Sequence, residues 1–357
     1  MPNKSSTHTA RIASGHIVWI DYAKSLAIFL VVWLHVHSLE DVTRAVNAFI
    51  MPLFFFLSGL LFSYERNPGY FSFVIKRFRQ IIIPYIWLNI ISWGMWLATD
   101  RYGDPAAATI PWYIPVKGGL LGIPSLMEHN IPLWSFVSFF VVEIIFYPLR
   151  KYCLQSITIA ILFMITPCIL TVINPDIGFM ILPLAAGPSL AAIGFYALGH
   201  WIHEKGFDSE KCIKILATWP MLLLLATIYG LATWANPTIV RFFLCIYGCY
   251  PLYIISSLAG SLCTIGIAIR LARWFRQQHA IRFISVSTLM ICGMHIPMFY
   301  VIERIAGFIG LSNNIITTGF IPGLLFAFTA FVLTLPLAFL IERHLPFLTD
   351  KPLNPYK

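Results

Sequence analysis

Residues 19–38 read WIDYAKSLAIFLVVWLHVHS. This stretch is long enough to cross a membrane, because about 20 mainly apolar residues of α-helix span the hydrocarbon core of a bilayer. Similar stretches recur along the chain, which is 59% hydrophobic and 11% charged. Soluble domains carry about 25% charged residues, and no water-soluble fold can bury this much apolar surface. The sequence therefore predicts an integral membrane protein and excludes a soluble enzyme.

Apolar stretches of this kind follow one another along the chain. We predict an all-α membrane domain of about ten helices over residues 17–341, between a polar tail of residues 1–16 and a tail of residues 342–357. The first stretch is too long for the core of a signal peptide, and no small-residue cleavage site follows it, so we expect a retained helix. The predicted spans lie near 17–38, 45–64, 79–98, 131–149, 154–173, 178–202, 211–234, 241–269, 284–304 and 315–341.

Lysine and arginine concentrate in every second loop. Cytoplasmic loops of membrane proteins carry an excess of these residues, so the pattern predicts that both termini lie in the cytoplasm, in agreement with an even number of spans. We expect the membrane to be a bacterial inner membrane. The formal net charge of +9 arises largely from these loops and does not indicate nucleic-acid binding. The basic residues on that side are Lys4, Arg11, Arg66, Lys76, Arg77, Arg79, Arg150, Lys151, Lys205, Lys211, Lys214, Arg270, Arg273, Arg276, Arg282, Arg343, Lys351 and Lys357.

The seven cysteines are scattered singly, with neither a CxxC motif nor a Cys/His spacing that suits a metal ion. Six of them lie in or beside apolar runs, where a free cysteine packs like a small apolar residue. We therefore expect neither a disulfide framework nor a metal site.

Several ionisable side chains fall within the predicted spans. A charge at the centre of a membrane helix costs about 2.5–3.5 kcal/mol on insertion scales, so each one needs a physical reason. In the first span, His35 lies within about 20° of Lys24 around the helix, and Asp21 within about 40° of His35. The three side chains form one polar stripe, along which Lys24 and His35 are about 16 Å apart. His37 lies about 160° from His35 and is expected at the outer interface.

Two interpretations of this stripe remain open. Asp21 and Lys24 can form an i,i+3 pair at the cytoplasmic interface, with the Lys24 ammonium reaching water, and His35 then lies near the outer interface. Alternatively, the stripe lines a functional site within the membrane.

Two later spans carry ionisable residues of their own. Glu143 interrupts a strongly apolar span at about the depth of Lys24, so a Lys24–Glu143 pair would neutralise both charges. His295 lies in the middle of a span and is followed by Pro297, which can leave a backbone carbonyl without its helical partner. An isolated histidine in a membrane more often bonds two helices together than takes part in catalysis.

A basic cluster, Lys76, Arg77 and Arg79, comes directly before a predicted helix. Such a cluster can anchor the chain to anionic membrane lipid. It can also hold the phosphates of a soluble cofactor.

The first span resembles the acyltransferase-3 family of membrane O-acyltransferases, especially its fucose 4-O-acetylase-like branch. Members carry a basic residue, ten further residues and then histidine in the first helix, and Lys24 and His35 have this spacing. Residues 51–59, MPLFFFLSG, are similar to a PxFFFLSG pattern of the branch. Residues 75–85, IKRFRQIIIPY, resemble a segment with Arg-x-x-Arg ahead of Pro-Tyr: Lys76 and Arg79 keep the spacing, whereas counting back from Pro84 selects Arg77 and Gln80.

The resemblance continues over nearly the whole chain, and the order of its motifs is more specific than any one of them. The further matching segments are NIPLW at 130–134 leading to Glu143, LP at 182–183 with GFYALG at 194–199, the stretch from Ser287 to His295, and ERHLP at 342–346.

The resemblance implies an enzyme that transfers an acetyl group from acetyl-CoA to a sugar hydroxyl of a cell-surface polysaccharide or its lipid-linked precursor. Its implied residues are, for catalysis, His35, Lys24, Asp21 and Glu143; for the cofactor, Lys76, Arg77 and Arg79; and for the acceptor, Asn130, Trp134 and His295, with no metal ion.

Under this hypothesis His35 Nε2 takes the proton of the sugar hydroxyl, and Lys24 orients the donor or stabilises the oxyanion, held by Asp21 or Glu143. An acetyl-His35 intermediate is a competing mechanism. A transporter or flippase for a lipid-linked glycan is the alternative function, with Asp21, Lys24, Glu143 and His295 as a proton relay or substrate path. A non-catalytic scaffold protein would tolerate replacement of His35, Lys24 and Glu143 together.

Overall fold

A computed structural model describes residues 17–36, 40–99, 101, 105–173, 182–206 and 209–348. The predicted tail of residues 1–16, the last nine residues of the predicted C-terminal tail and His37 lie outside this range. Within it, the elements are helices, and extended pairing is limited to an isolated bridge between Arg241 and Ile246. The described part of the chain is therefore all-α, as the sequence predicts.

Thirteen helices of seven or more residues form the described part of the fold. They are α1 Val18–Leu34, α2 Glu40–Leu60, α3 Tyr70–Ala98, α4 Tyr113–Leu121, α5 Ile131–Cys153, α6 Ser156–Ile173, α7 Ala186–Glu204, α8 Glu210–Leu216, α9 Trp219–Ala235, α10 Tyr250–Phe275, α11 His279–Val286, α12 Thr288–Phe308 and α13 Phe320–His344.

Six of these helices, namely α2, α3, α5, α10, α12 and α13, are long and apolar enough to cross a membrane. Helices α8 and α9 meet at a bend of 64° and bring the number to seven if they form one broken span. The prediction of an integral membrane protein is confirmed at this level. The count of ten crossings stays a prediction, with α1, α6 and α7, of 17, 18 and 19 residues, as the further candidates.

The eighth predicted span differs most from the structure. It was expected near 241–269, but α10 begins only at Tyr250. Pro251 lies in the first turn of α10, the position that tolerates proline because its missing N–H has no helical partner there. Residues 236–249 form an irregular connection instead, which includes the Arg241–Ile246 bridge.

The buried side chains form two hydrophobic clusters. One surrounds α1 and includes residues of α10, α12 and α13, and the other is built mainly from α5, α7 and the aromatic residues near Phe242. Helix α2 contributes to both, because Phe55 belongs to the second cluster and its neighbours Phe54 and Phe56 to the first. The side chains that line the candidate site lie where these two clusters meet.

Two glycines allow α2 and α7 to pack closely. A Cβ atom on Gly59 would lie 1.9 Å from the Tyr196 carbonyl oxygen, and one on Gly199 would lie 2.1 Å from the Phe56 carbonyl oxygen. Any side chain at either position would therefore push the two backbones apart. Small residues at such crossings are the usual basis of tight helix packing in membranes.

Candidate functional site

A cavity of about 470 Å³ lies beside Lys24, in the N-terminal half of α1. Four cations and one carboxylate reach it, which gives it a surplus of positive charge. We call it the basic cavity. Its charged lining residues are Lys24, Arg66, Lys76, Arg77 and Glu143, and Asn67 and Gln80 add amide groups.

Glu143 is bound by Arg77 in a two-point contact. Arg77 Nη2 donates to Glu143 Oε1 at 2.6 Å, and Nε lies 2.6 Å from Oε2. The carboxylate is only 3% exposed, so the guanidinium supplies the compensating charge that a buried anion requires. The expected Lys24–Glu143 pair is therefore wrong: Arg77 on α3 is the partner of Glu143.

The helix type changes directly after Arg77. Residues Phe78–Ile82 form a π-helical turn within α3 that ends two residues before Pro84. Pro84 has no N–H to give to the carbonyl four residues earlier, and its ring crowds that carbonyl, so a wider turn relieves the conflict. Arg77 Nη1 donates to Gln80 Oε1 at 3.0 Å across this turn.

The members of the predicted basic cluster differ in their position relative to the basic cavity. Lys76 and Arg77 line the basic cavity together with Gln80, whereas Arg79 is exposed and lies outside the lining of the cavity. The pair counted back from Pro84, Arg77 and Gln80, is thus the one that faces the cavity. The assignment of Arg79 to the cofactor has no support from its position.

Arg66 is a residue of the site that the sequence analysis does not single out. It follows α2 in the connection of residues 61–69 and lines the basic cavity, while its Nη2 donates to the Leu61 carbonyl. In the same connection, Asn67 Oδ1 accepts a hydrogen bond of 3.2 Å from Lys76 Nζ. The sequence offered a weak signal, since Arg66 belongs to the same basic loop as Lys76.

Lys24 also lines the basic cavity, and its charge interacts with those of Asp21 and Arg77. Asp21 is 5% exposed. The alternative interpretation, in which the stripe on α1 faces the protein interior, agrees with both positions.

His35 caps the other end of α1 and lines a second cavity of about 750 Å³, the histidine cavity. Its Nδ1 lies 2.7 Å from the Val31 carbonyl oxygen. Because a carbonyl can only accept, Nδ1 carries the proton in this contact, and Nε2 is then the basic nitrogen. This tautomer is the one that a general base acting through Nε2 requires.

His295 lies against His35, with 5.1 Å between the two ring centroids. It is fully buried, and its Nδ1 lies 3.2 Å from the Ile291 carbonyl oxygen. Among the described residues its Nε2 has no hydrogen-bond partner. The structure thus places His295 behind His35 rather than in the cavity lining, although the sequence suggested that it contacts the acceptor.

Trp134 and Asn130 have different positions. Trp134 lines the histidine cavity and stacks on Phe242 at a centroid distance of 5.9 Å. Asn130 is fully buried, and its Nδ2 donates to Ser92 Oγ at 2.8 Å and to the Gly293 carbonyl at 2.7 Å. Asn130 therefore links α3, α5 and α12 behind the cavity, whereas Trp134 forms part of its wall.

The histidine cavity has a polar rim that the sequence analysis does not predict. Glu40, Thr43 and Asn47 line it from α2, and Arg241 lines it from the connection before α10. The first three have helical spacing of three and four residues, which puts them on one face and was a readable signal. Arg241 gave none, because its predicted place was inside a membrane span.

The two cavities meet. Four residues line both of them, and these come from α2, α5 and the start of α12. The polar stripe of α1 therefore runs from a basic cavity to a histidine cavity that share one set of walls. The shared residues are Phe54, Phe139, Thr288 and Leu289.

Within the described residues, no group of three or more His, Cys, Asp or Glu side chains is arranged to hold a metal ion. In a comparison with known families, the acyltransferase-3 family, described as an acyltransferase domain, matches residues 17–343. No curated protein and no solved structure matches the chain.

Proposed function

The chain belongs to the acyltransferase-3 family and is a membrane acyltransferase, and from this premise we propose that it is an O-acetyltransferase. Its donor is acetyl-CoA, and its acceptor is a sugar hydroxyl of a cell-surface polysaccharide or of the lipid-linked precursor. Within the family we assign it to the fucose 4-O-acetylase-like branch. The observation that carries the proposal is the shared wall between a cavity lined by cations and a cavity lined by an imidazole.

The basic cavity suits the anionic end of acetyl-CoA. Since Arg77 is paired with Glu143, the positive charge available to a ligand comes mainly from Lys24, Arg66 and Lys76. Charge-assisted hydrogen bonds from such side chains are the strong contacts with which proteins bind phosphates. The pantetheine arm is long and uncharged, so it can extend from this cavity towards His35.

The transfer step needs one base. The acceptor hydroxyl attacks the thioester carbonyl while its proton moves to His35 Nε2; the new C–O bond forms and the C–S bond breaks. The thiolate of CoA then takes the proton from His35, which restores the starting tautomer. A positioned base of this kind typically contributes about 10²–10⁴-fold to the rate.

The position of Lys24 supports one of its two predicted roles. It lies in the basic cavity, about 16 Å from His35 along the helix axis. A cation there is well placed to bind and orient the donor, but it is far from a carbonyl that reacts beside His35. We therefore assign Lys24 to the donor rather than to the oxyanion, with Asp21 as its neighbouring charge.

The proposed topology gives each cavity its substrate. With ten crossings and both termini in the cytoplasm of a bacterial cell, the basic cavity opens towards the compartment that supplies acetyl-CoA. The histidine cavity then faces the outer side of the inner membrane, where Trp134 and the polar rim receive the acceptor.

A single experiment separates this function from its rivals. Purified protein is incubated with acetyl-CoA and with surface polysaccharide from a strain that lacks the gene, and both free CoA and glycan-bound acetyl are measured. The enzyme produces the two in equal amounts. A transporter, a flippase or a scaffold consumes no acetyl-CoA. Accumulation of acetyl groups bound to the protein in the absence of the glycan acceptor would favour the acetyl-His35 mechanism.

A further inference from the structure

The residues that line both cavities form a mainly apolar boundary between them. Phe54 comes from α2, Phe139 from α5, and Leu289 with Thr288 from the first turn of α12. We call these four residues the throat. Because each of them lines both cavities, a group that moves from the basic cavity to the histidine cavity passes beside these residues.

The throat is held in place on each side. The ring of Phe139 stacks on Phe55 at a centroid distance of 4.3 Å and an interplanar angle of 30°, and Phe54 is 9% exposed. The Thr288 hydroxyl lies 3.2 Å from the Ile284 carbonyl oxygen and 2.8 Å from that of Ser285. The Thr288 hydroxyl thus donates its hydrogen bond within its own helix. The surface that the throat presents to a passing group therefore consists mainly of aromatic rings, methyl groups and a leucine side chain.

We propose that the throat selects the acyl group, admitting a short, unbranched and uncharged acyl chain and rejecting branched or carboxylated ones. This rests on the proposed function, in which the donor enters through the basic cavity. The acyl group is the first part of the donor to reach the throat, because it lies at the end of the pantetheine arm. It must therefore cross the throat before the thioester can reach His35.

Two physical effects produce the selection. A carboxylate, such as that of a succinyl group, would lose its water between two phenyl rings and find no donor there, and burying an unpaired charge is strongly unfavourable. A branched group would require Phe54 or Phe139 to leave a packed position, and packed interiors resist such shifts. An acetyl group meets neither obstacle.

The first test compares donors. Transfer to the glycan is measured with acetyl-, butyryl-, isobutyryl- and succinyl-CoA for the wild type and for Phe54→Ala and Phe139→Ala. Each variant is expected to raise the kcat/KM ratio of butyryl or isobutyryl over acetyl about tenfold, the discrimination typical of a fitted apolar pocket. Succinyl transfer stays low in all of them, because the widened throat is still apolar.

Phe140→Ala is the matched control. Phe140 neighbours Phe139 on α5 but lies outside the lining of both cavities, where its ring meets Phe78 edge-on at 6.3 Å. Its donor ratios should equal those of the wild type. Unchanged ratios in both throat variants, or an equal change in Phe140→Ala, would overturn the proposal.

A second measurement does not depend on acyl transfer. Proton flux is followed in proteoliposomes that contain the wild type, Phe140→Ala or the double variant Phe54→Ala/Phe139→Ala, after monodisperse protein has been confirmed. Opening the throat joins the cavities, so only the double variant should leak. If the double variant does not leak protons, the proposal that the throat separates the two cavities is overturned. If it leaks but the wild-type protein transfers no acyl group, the proposed donor is wrong and the throat is still the partition between the cavities.

Discussion

Arg77 and Glu143 are joined by two contacts of 2.6 Å. One joins Arg77 Nη2 to Glu143 Oε1, and the other joins Arg77 Nε to Glu143 Oε2. The pair connects α3 to α5 beside the basic cavity. Removing one partner of a buried pair leaves an uncompensated charge, which typically costs about 3–5 kcal/mol. Arg77 retains 29% exposure, so we expect a loss near the lower end of that range.

Glu143→Gln and Arg77→Gln should therefore each destabilise the protein by about 3 kcal/mol. The double variant should be more stable than the sum of the two losses implies, because neither charge is then left alone. Thermal unfolding of the four proteins in one detergent gives the coupling. Additive losses would mean that the contact between Arg77 and Glu143 contributes nothing specific to stability.

His35→Ala should lower kcat by about 10²–10⁴-fold, since it removes the proposed base. Acetylation of the glycan is measured alongside the amount of inserted protein, which should be normal. His344→Ala is the matched control, because His344 is exposed in the last turn of α13. Near-normal acetylation by His35→Ala would reject His35 as the base, and an equal loss in His344→Ala would point to a general effect of histidine replacement.

Lys24→Arg should keep much of the activity, because a cation at this position is enough to orient the donor. Lys24→Met should raise KM for acetyl-CoA about tenfold, the effect of one lost charge-assisted contact, with kcat less affected. Steady-state kinetics with varied donor distinguish the two parameters. An inactive Lys24→Arg would show a tighter geometric role, and a loss confined to kcat would support the oxyanion role instead.

The basic cavity offers a sharper comparison among neighbouring cations. Lys76→Gln and Arg66→Gln should each raise KM for acetyl-CoA about tenfold and weaken its dependence on salt, because each removes one phosphate contact. Arg79→Gln, which alters an exposed cation in the same helix, should leave KM unchanged. Donor binding can be measured independently by calorimetry with CoA alone. Equal effects of all three substitutions would indicate general electrostatics rather than a site.

How far the sequence predicts this site depends on the scale of the feature. The hydropathy of the chain predicts its membrane helices, and the helical periodicity of the first span predicts that Asp21, Lys24 and His35 share one face. Both are local properties. The partner of Glu143 was not predictable in the same way. Depth in the membrane is shared by residues of several helices, and Arg77 precedes the predicted third span, whereas the helix in the structure begins at Tyr70.

The walls of the cavities show the same limit. Phe54 and Phe139 are two of 29 phenylalanines and are ordinary apolar residues in the sequence. They become notable only where α2, α5 and α12 line both cavities, and the sequence alone does not show which helices meet there. His295 likewise could be predicted as an intramembrane histidine but not as the neighbour of His35.

The connection before α5 contains a group that should make stability depend on pH. His129 is buried, and since the Asn89 side-chain amide nitrogen donates to the Tyr85 carbonyl, His129 Nε2–H donates to Asn89 Oδ1 at 3.0 Å. Its Nδ1 has no partner among the described residues. Burial lowers the pKa of His129 to about 4, from 6.5 for an ordinary histidine, because a proton on Nδ1 would bury an unpaired charge.

Between pH 6.5 and 4 the unfolded chain therefore binds a proton at this position that the native protein does not. The free energy of unfolding should fall as the pH is lowered through this window, by on the order of 3 kcal/mol in total for this one group. His129→Gln keeps an N–H for Asn89 and cannot titrate, so its stability should fall less between pH 7 and pH 5. Thermal unfolding of the wild type and of His129→Gln at the two pH values isolates the contribution of His129 from those of the other histidines. An identical pH dependence of stability in both proteins would show that His129 is protonated in the native protein as readily as in the unfolded chain.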